Sequence, residues 1–483
     1  MKVTIVLLSS SCNFRAIVRN KGVNKFTAAA ICLTLACALA IPAHATTIVV
    51  TNTNDNGPGS LRQALVNAND GDTIDATGIS GVITLTSGEL LVDKSVTINA
   101  AGADVLAVDG NASSRVFQIG SGERVTISGL TIRNGHDDNM GGGIENESGA
   151  TLTITNSTLS SNTAGSVNNP VVEGGGIFNS GTLTIVNSTV SGNSAGGIAG
   201  SGGGIENFGT LTILNSTFSG NTAIKGAGVH NNGPATVVTI TNSTLSGNTA
   251  SAYGGACFNG GTMHIANSTL SDNSASIGGG ILVFGPLQIG NTILNRGDSG
   301  ANIDSFGDVT VTSLGYNLSS DDGSGHLTGP GDQINSDPLL GPLQNNGGPT
   351  FTHELLSGSP AINAGDPSFT PPPFFDQRGP GFDRVVNGRI DIGSFEVQTQ
   401  TVAIDLQASG RKVGGINTVR LTWTGAISNN VDVNRNGVVI ATVPNTGTYI
   451  DSTGDTGRAR YTYEVCEAGT STCSNEVTVR FRH

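Results

Sequence analysis

Apolar residues recur in this chain at two distances. Within short runs they alternate with Ser or Thr, as in TLTIT at 151–155, TLTIV at 182–186 and TLTIL at 210–214. Over longer stretches one apolar position returns after a run of glycines, at residues 144, 177, 205, 229, 257 and 281, in steps of 33, 28, 24, 28 and 24. The short period of two predicts half-buried strands. The long period marks a repeat architecture. Its phrases are GGGIEN at 141, GGGIFN at 174, GGGIEN at 202, GAGVHN at 226, GGACFN at 254 and GGGILV at 278. An NST phrase follows the first five, at Asn156, Asn187, Asn215, Asn242 and Asn267. Units this short are not domains, and they lack the three-and-four spacing of helical repeats. They can bury their apolar residues only by winding into coils that stack. The expected fold is all-β: a right-handed parallel β-helix in which each coil adds about 4.8 Å.

The polar positions fit the same picture. Three columns of asparagine recur: 146, 179, 207, 231 and 259; 156, 187, 215, 242 and 267; 162, 193, 221, 248 and 273. At coil corners such residues can bond to their equivalents above and below. All three are read as inward ladders, so the Asn-Ser-Thr sequons are not expected to carry glycans. The glycines let the chain turn with positive φ. Ahead of the clear repeats, Thr47–Val50 reads as a strand. Ser60 is an N-cap for a short helix with Leu61, Ala64, Leu65 and Ala68 on one face. That helix would act as a lid, because an open end of stacked strands templates aggregation. The runs at Gly81, Lys94, Arg115 and Glu123 read as the first coils.

From about Thr310 the pattern loosens into turn-rich text. The opening TNTNDNGPGSLRQAL, the GGGI…NST…GN coils and the closing DPLLGPLQNNGGPT…SGSPAINAGD…DQRG…DIGSFE together resemble the bacterial β-helix proteins called choice-of-anchor Q domain proteins. The resemblance covers about residues 46–397. It implies an exported surface or extracellular protein with a pectin lyase-like scaffold and no established enzymatic activity. The chain departs from that group in carrying no LPxTG-type sorting motif and no terminal apolar helix with a basic tail; it reads VTVRFRH at 477–483. Residues 401–483 change character. Alternating strands at short spacing, a hairpin turn at Asn436-Gly437 and the single Trp423 resemble a fibronectin type III-like β-sandwich. The domains are therefore 1–45, 46–400 (the β-helix, with its N-terminal cap and a loop-rich closing cap) and 401–483.

Composition and charge add the compartment. Lys2, Arg15, Arg19, Lys21 and Lys25 precede an apolar run from Phe26 to Ile41, and Ala43-His44-Ala45 offers small residues before Thr46. This predicts a secretory signal over 1–45, hence a secreted or cell-surface protein. The run is short for a bilayer span, and no membrane span is expected in the mature chain. Losing those five cations would take the formal net charge from −13 to −18. That sign, with no basic patch, excludes nucleic acid as a partner. Cys12, Cys32 and Cys37 would leave with the signal, and Cys257 takes a buried apolar slot. Cys466 and Cys473 are read as a disulfide, as an oxidising compartment favours.

Two function classes follow. One is a structural or adhesion-type protein binding polysaccharide or cell-envelope glycan without catalysis. The other is a polysaccharide-active enzyme, lyase or hydrolase, working on the outer face; the fold does not choose between them. Catalysis would need clustered carboxylates, with calcium for a lyase, and the coils carry few charges. The position beside the apolar slot is the one informative column: Glu145, Phe178, Glu206, His230, Phe258. Stacking would put Glu206 and His230 about 5 Å apart and Glu145 about 10 Å from Glu206. Ligand-binding candidates are therefore Phe178, Glu206, His230 and Phe258, and the catalytic candidates are Glu145, Glu206 and His230. Asp321, Asp322, Asp332 and Asp337 are the candidates for calcium, without EF-hand spacing. Asp376, Arg378, Arg389 and Asp391 read as an ion-paired cap on the last coil.

Overall fold

The computed structural model describes residues 45–165, 172–398, 404–469 and 473–482. The segment 1–45, expected from the sequence to be a secretory signal, lies outside this range except for its last residue. Residues 45–319 wind into a parallel β-solenoid of about 10 turns. Three long sheets, here A, B and C, hold eleven, ten and nine strands. A typical coil runs Thr210–Leu214 in sheet A, Thr217–Ser219 in sheet B and Val229–Asn231 in sheet C, with Thr222–Lys225 in a small fourth sheet between the last two.

Alternation decides which side chains enter. Leu183, Leu211, Val238 and Met263 share one inward row of sheet A, and Ile185, Ile213, Ile240 and Ile265 share the next. The slot residues Ile144, Ile177, Ile205, Val229, Cys257 and Ile281 form a fully buried row of sheet C. Cys257 sits there as a free thiol whose ionisation burial pushes up to about 12. Each such residue removed from water is worth about 1.5–3 kcal/mol.

Two asparagine columns are ladders. Asn146 donates through its amide to Asn179, Asn179 to Asn207, Asn207 to Asn231 and Asn231 to Asn259, at 2.7–3.0 Å. The column 162–273 does the same at 2.8–3.0 Å, and its amides also cap buried carbonyls such as Ile132 O and Leu159 O. The NST column differs. Its residues hold left-handed corners at φ 48–53°, and Asn156 is exposed. Only part of this column is laddered, as in Asn242 to Asn215 at 2.7 Å. The inward reading of this column is therefore corrected in part: Asn156 faces solvent, while Asn187, Asn215 and Asn242 bond to one another from coil to coil.

The ends are closed by different means. Helix α1, Leu61–Asn67, is capped by Ser60 Oγ, which accepts from Gln63 N, and it buries Leu61, Ala64 and Leu65 in the solenoid core. At the other end Leu327 joins that core. The loop-rich segment beyond, 337–397, does more than cap the last coil. It runs back along the outside of sheet B. Gln377 donates to Thr217 Oγ1 and Thr350 Oγ1 and accepts from Thr244 Oγ1. Ser394 N donates to Thr269 Oγ1, and Asn242 Nδ2 donates to Phe375 O. The rows of Thr and Ser on sheet B supply these partners, which is why the arm lies there. It has a small core of its own from Leu355, Ala361, Ile392 and Phe395 against Ile293 and Leu318.

From Asp405 the chain forms antiparallel sheets of three and four strands around one core. Trp423 is buried in it and donates through Nε1 to Asn445 Oδ1 at 2.9 Å. The Cys466–Cys473 disulfide is present.

Candidate functional site on the outer face of sheet C

The candidate column stacks in register. Leu91, Gln118, Glu145, Phe178, Glu206, His230, Phe258, Leu282 and Asp304 lie one coil apart in that order. It is not a solvated face. Glu206 is fully buried, and Phe178 and His230 nearly so. The cause is the glycine run. At Gly202 (φ +64°) the chain reverses, and a methyl there would collide with the Glu206 backbone; Gly226 stands in the same relation to His230. Residues just before the glycines, such as Glu173, Ser201 and Lys225, pair from coil to coil alongside the column. Bare backbone at the reversal lets that layer close over it.

Glu206 and His230 form the pair that the stacking predicts. His230 Nδ1 lies 2.9 and 2.8 Å from the two Glu206 oxygens, and Asn232 Nδ2 donates to Oε1 at 2.9 Å. The edge of Phe258 meets the His230 ring at 4.6 Å between centroids. Glu173 stands nearby. Burial and then the Glu206 carboxylate push its carboxyl above the usual range, with His230 pulling the other way. Glu145 does not join them, because Phe178 lies between.

Glu145 is tied instead to Arg115, which lines a polar groove of about 670 Å³ at the early coils together with Glu89, Gln118 and Asp137. Arg115, nearly buried, donates to Glu89 at 2.6 Å and pairs with Glu145 at 2.9 Å and Asp137 at 3.2 Å. Its remaining N–H groups reach Gly141 O and Met140 O. Burial raises the Glu145 carboxyl; Arg115 opposes this, while Glu147 and Glu89 add to it. Comparisons with family models, curated proteins and solved structures find no match. The site is therefore read from its own chemistry.

That chemistry includes residues the sequence reading missed. Phe208, Phe284 and Phe306 stand two positions beyond the column, on the same outward face, and are 40%, 47% and 42% exposed. Phe208 packs on Phe178 at 5.4 Å, Phe284 on Phe258 at 5.1 Å, and Phe306 on Phe284 at 5.2 Å. Reading the column at period two, past the invariant-looking Asn, gives Glu147, Ser180, Phe208, Asn232, Gly260, Phe284 and Phe306; the signal was present one alternation further on.

The four Asp candidates for calcium do not converge. Asp321 accepts from Asn302 N, Ser319 Oγ and Gly323 N, and these bonds outweigh burial to hold its carboxyl below the usual range. Asp332 accepts from Ser313 Oγ, Asn317 N and Gly329 N. Asp322 caps Ser324 N, and Asp337 accepts from Leu339 N. Each carboxylate fastens its own turn. Around the closing motif, Asp376 and Arg378 do pair, at 2.6 Å, with Arg378 between the rings of Phe382 and Phe395. Arg389 instead donates to Gly365 O and Ala364 O, and Asp391 accepts from Asn363 N and Val397 N.

Proposed function

We propose that the protein is an exported surface or secreted scaffold of the choice-of-anchor Q type, ending in a fibronectin type III-like module. In this reading it binds polysaccharide or cell-envelope glycan along sheet C without turning it over. The observation that supports this most is the row of half-exposed Phe208, Phe284 and Phe306 on the same face as the Arg115 groove. Aromatic surface beside fixed polar groups is what a neutral, hydroxyl-rich ligand requires. The −13 charge disfavours polyanions at long range. Glycan-array or affinity-electrophoresis binding should fall at least tenfold in F208A/F284A/F306A. Unchanged binding in a folded triple variant moves the site elsewhere.

One observation favours the enzymatic alternative. Glu89 and Glu145 meet the same Arg115 Nη1, which keeps their oxygens no further apart than the carboxyl separation of a retaining glycosidase pair, about 5.5 Å. Both are spent on that guanidinium, which argues for a fixed binding wall. Incubation with polygalacturonate and related polymers, with and without calcium, should release neither unsaturated nor reducing ends. Turnover that disappears in Glu145→Gln would replace the binding reading with this one.

A further inference from the structure

We propose that Ser246 and His353 form a nucleophile–base pair that takes an acyl group from neutral carboxylic esters. The site lies where the closing arm meets sheet B, away from the sheet C face. Ser160, Ser191, Ser219, Ser246 and Ser271 stack as one row of that sheet. The arm brings His353, 107 residues along the chain, onto Ser246, with Nε2 and Oγ 2.9 Å apart.

The proton positions follow from the partners. His353 Nδ1 lies 2.7 Å from Gly341 O, and a carbonyl can only accept. Nδ1 therefore carries the proton. Nε2 is left with its lone pair, and Ser246 Oγ–H donates to it. This is the arrangement a general base needs: hydrogen-bonded to the nucleophile on one side and oriented by a third group on the other. Both residues line a cavity of about 570 Å³. Leu340, Leu343 and Leu356 give that cavity an apolar wall, and its charged lining residues are Asp272 and Asp337. Two carboxylates repel an anionic ester and the leucine wall suits an uncharged group better than a cation, so the substrate is neutral, with some apolar surface.

In the step, Ser246 Oγ attacks the ester carbonyl carbon. The Oγ–C bond forms and the bond to the alkoxy group breaks. The serine proton passes to His353 Nε2 and then to the departing alkoxide, which leaves as the alcohol. Water repeats the sequence to release the carboxylic acid. Ser271 Oγ–H, one coil along on the same cavity wall, is the donor assigned to the developing oxyanion; in the free protein it rests on Asp272 Oδ2 at 3.0 Å. Each oxyanion donor is worth roughly 10²–10³ in rate. An activated ester or a fluorophosphonate, with its good leaving group, modifies the serine faster than water releases the product.

The readout is therefore a covalent adduct. Intact protein incubated with p-nitrophenyl acetate or a fluorophosphonate should gain one adduct per chain, mapped to Ser246. S246A should gain none, and S219A, in the same row without a histidine, should label as the wild type does. No adduct, or an adduct retained in S246A, overturns the nucleophile. Burial holds the His353 ionisation below the ordinary histidine value, with the Gly341 bond and Asp272 opposing. The wild-type labelling rate should thus rise through a single ionisation below pH ~6.5 and then stay flat. A rate climbing tenfold per pH unit above 7, or H353Q labelling at the wild-type rate, overturns the base.

Discussion

Single residues in this molecule are decided by what covers them. Glu206 and His230 were legible as stacked neighbours, because register follows from the repeat. Their burial was not legible, since it depends on how the chain before each glycine run folds over them. The covering makes the pair structural as well as chemical. Removing His230 leaves a buried carboxylate with only Asn232 as partner. H230A should therefore cost about 3–5 kcal/mol, and E206Q/H230Q, which keeps a hydrogen bond, distinctly less, read from denaturation midpoints. A second residue-scale outcome concerns pH. Burial, and then Asp391, raise the Glu396 carboxyl to about 8. Its folded value exceeds its unfolded one, so its contribution is complete below about pH 4.5 and is lost as pH rises towards 8. Burial raises Asp391, Glu145 and Glu173 in the same direction. The carboxyls held low, such as Asp72 and Asp321, are ionised in both states by then. His353, which burial holds low, opposes this up to about the ordinary histidine value of ~6.5, so stability should fall most clearly from there to pH 8, and E396Q should flatten that slope; a slope unchanged in E396Q would locate the proton elsewhere.

At the level of the element, the repeated phrase separates into parts with different tolerances. The slot residue and two asparagine ladders were readable from spacing alone. The NST column was only partly read, because an Asn in a ladder and an Asn holding a left-handed corner look alike in sequence, and here Asn187, Asn215 and Asn242 are both. The glycines also differ among themselves. Gly202 has positive φ and backbone packed against it, whereas Gly220 has positive φ and open space. G220A should cost about 1 kcal/mol, the ordinary left-handed penalty. G202A should cost several times more and loosen the cover over Glu206, seen as faster hydrogen exchange in 201–207. Equal effects of the two substitutions would refute the close-approach role. In the antiparallel sheets after Asp405, reducing Cys466–Cys473 opens only a short loop. It should cost about 2 kcal/mol and lower the melting of the 404–482 sheets while leaving the solenoid transition in place.

For the whole molecule, the solenoid and the later antiparallel unit were readable because both periods run uninterrupted. The path of the arm was not readable. Its contacts span more than 100 residues, as between Thr244 and Gln377 or Thr217 and Phe351, and no local pattern encodes them. Gln377 anchors that path, so Q377A should loosen exchange in Thr217–Ser219, Thr244–Ser246 and Thr269–Asn273 while sheet A stays protected. Uniform loosening would mean that the arm and coils melt as one.

The arm also has a mechanical side. In a stack of coils, each unit holds mainly to its neighbours, and the hydrogen bonds between coils point along the axis. A pull along that axis opens them one coil at a time, at low force, as a zipper opens. Over strands Thr217–Ser219 through Ile293–Arg296 the arm is fastened to several coils at once, through Gln377, Ser394 and the Asn291 amide. Those coils cannot peel singly. Under load, the early coils, to which the described arm residues are not hydrogen-bonded, should yield first in small steps, and the clasped ones later in one large step.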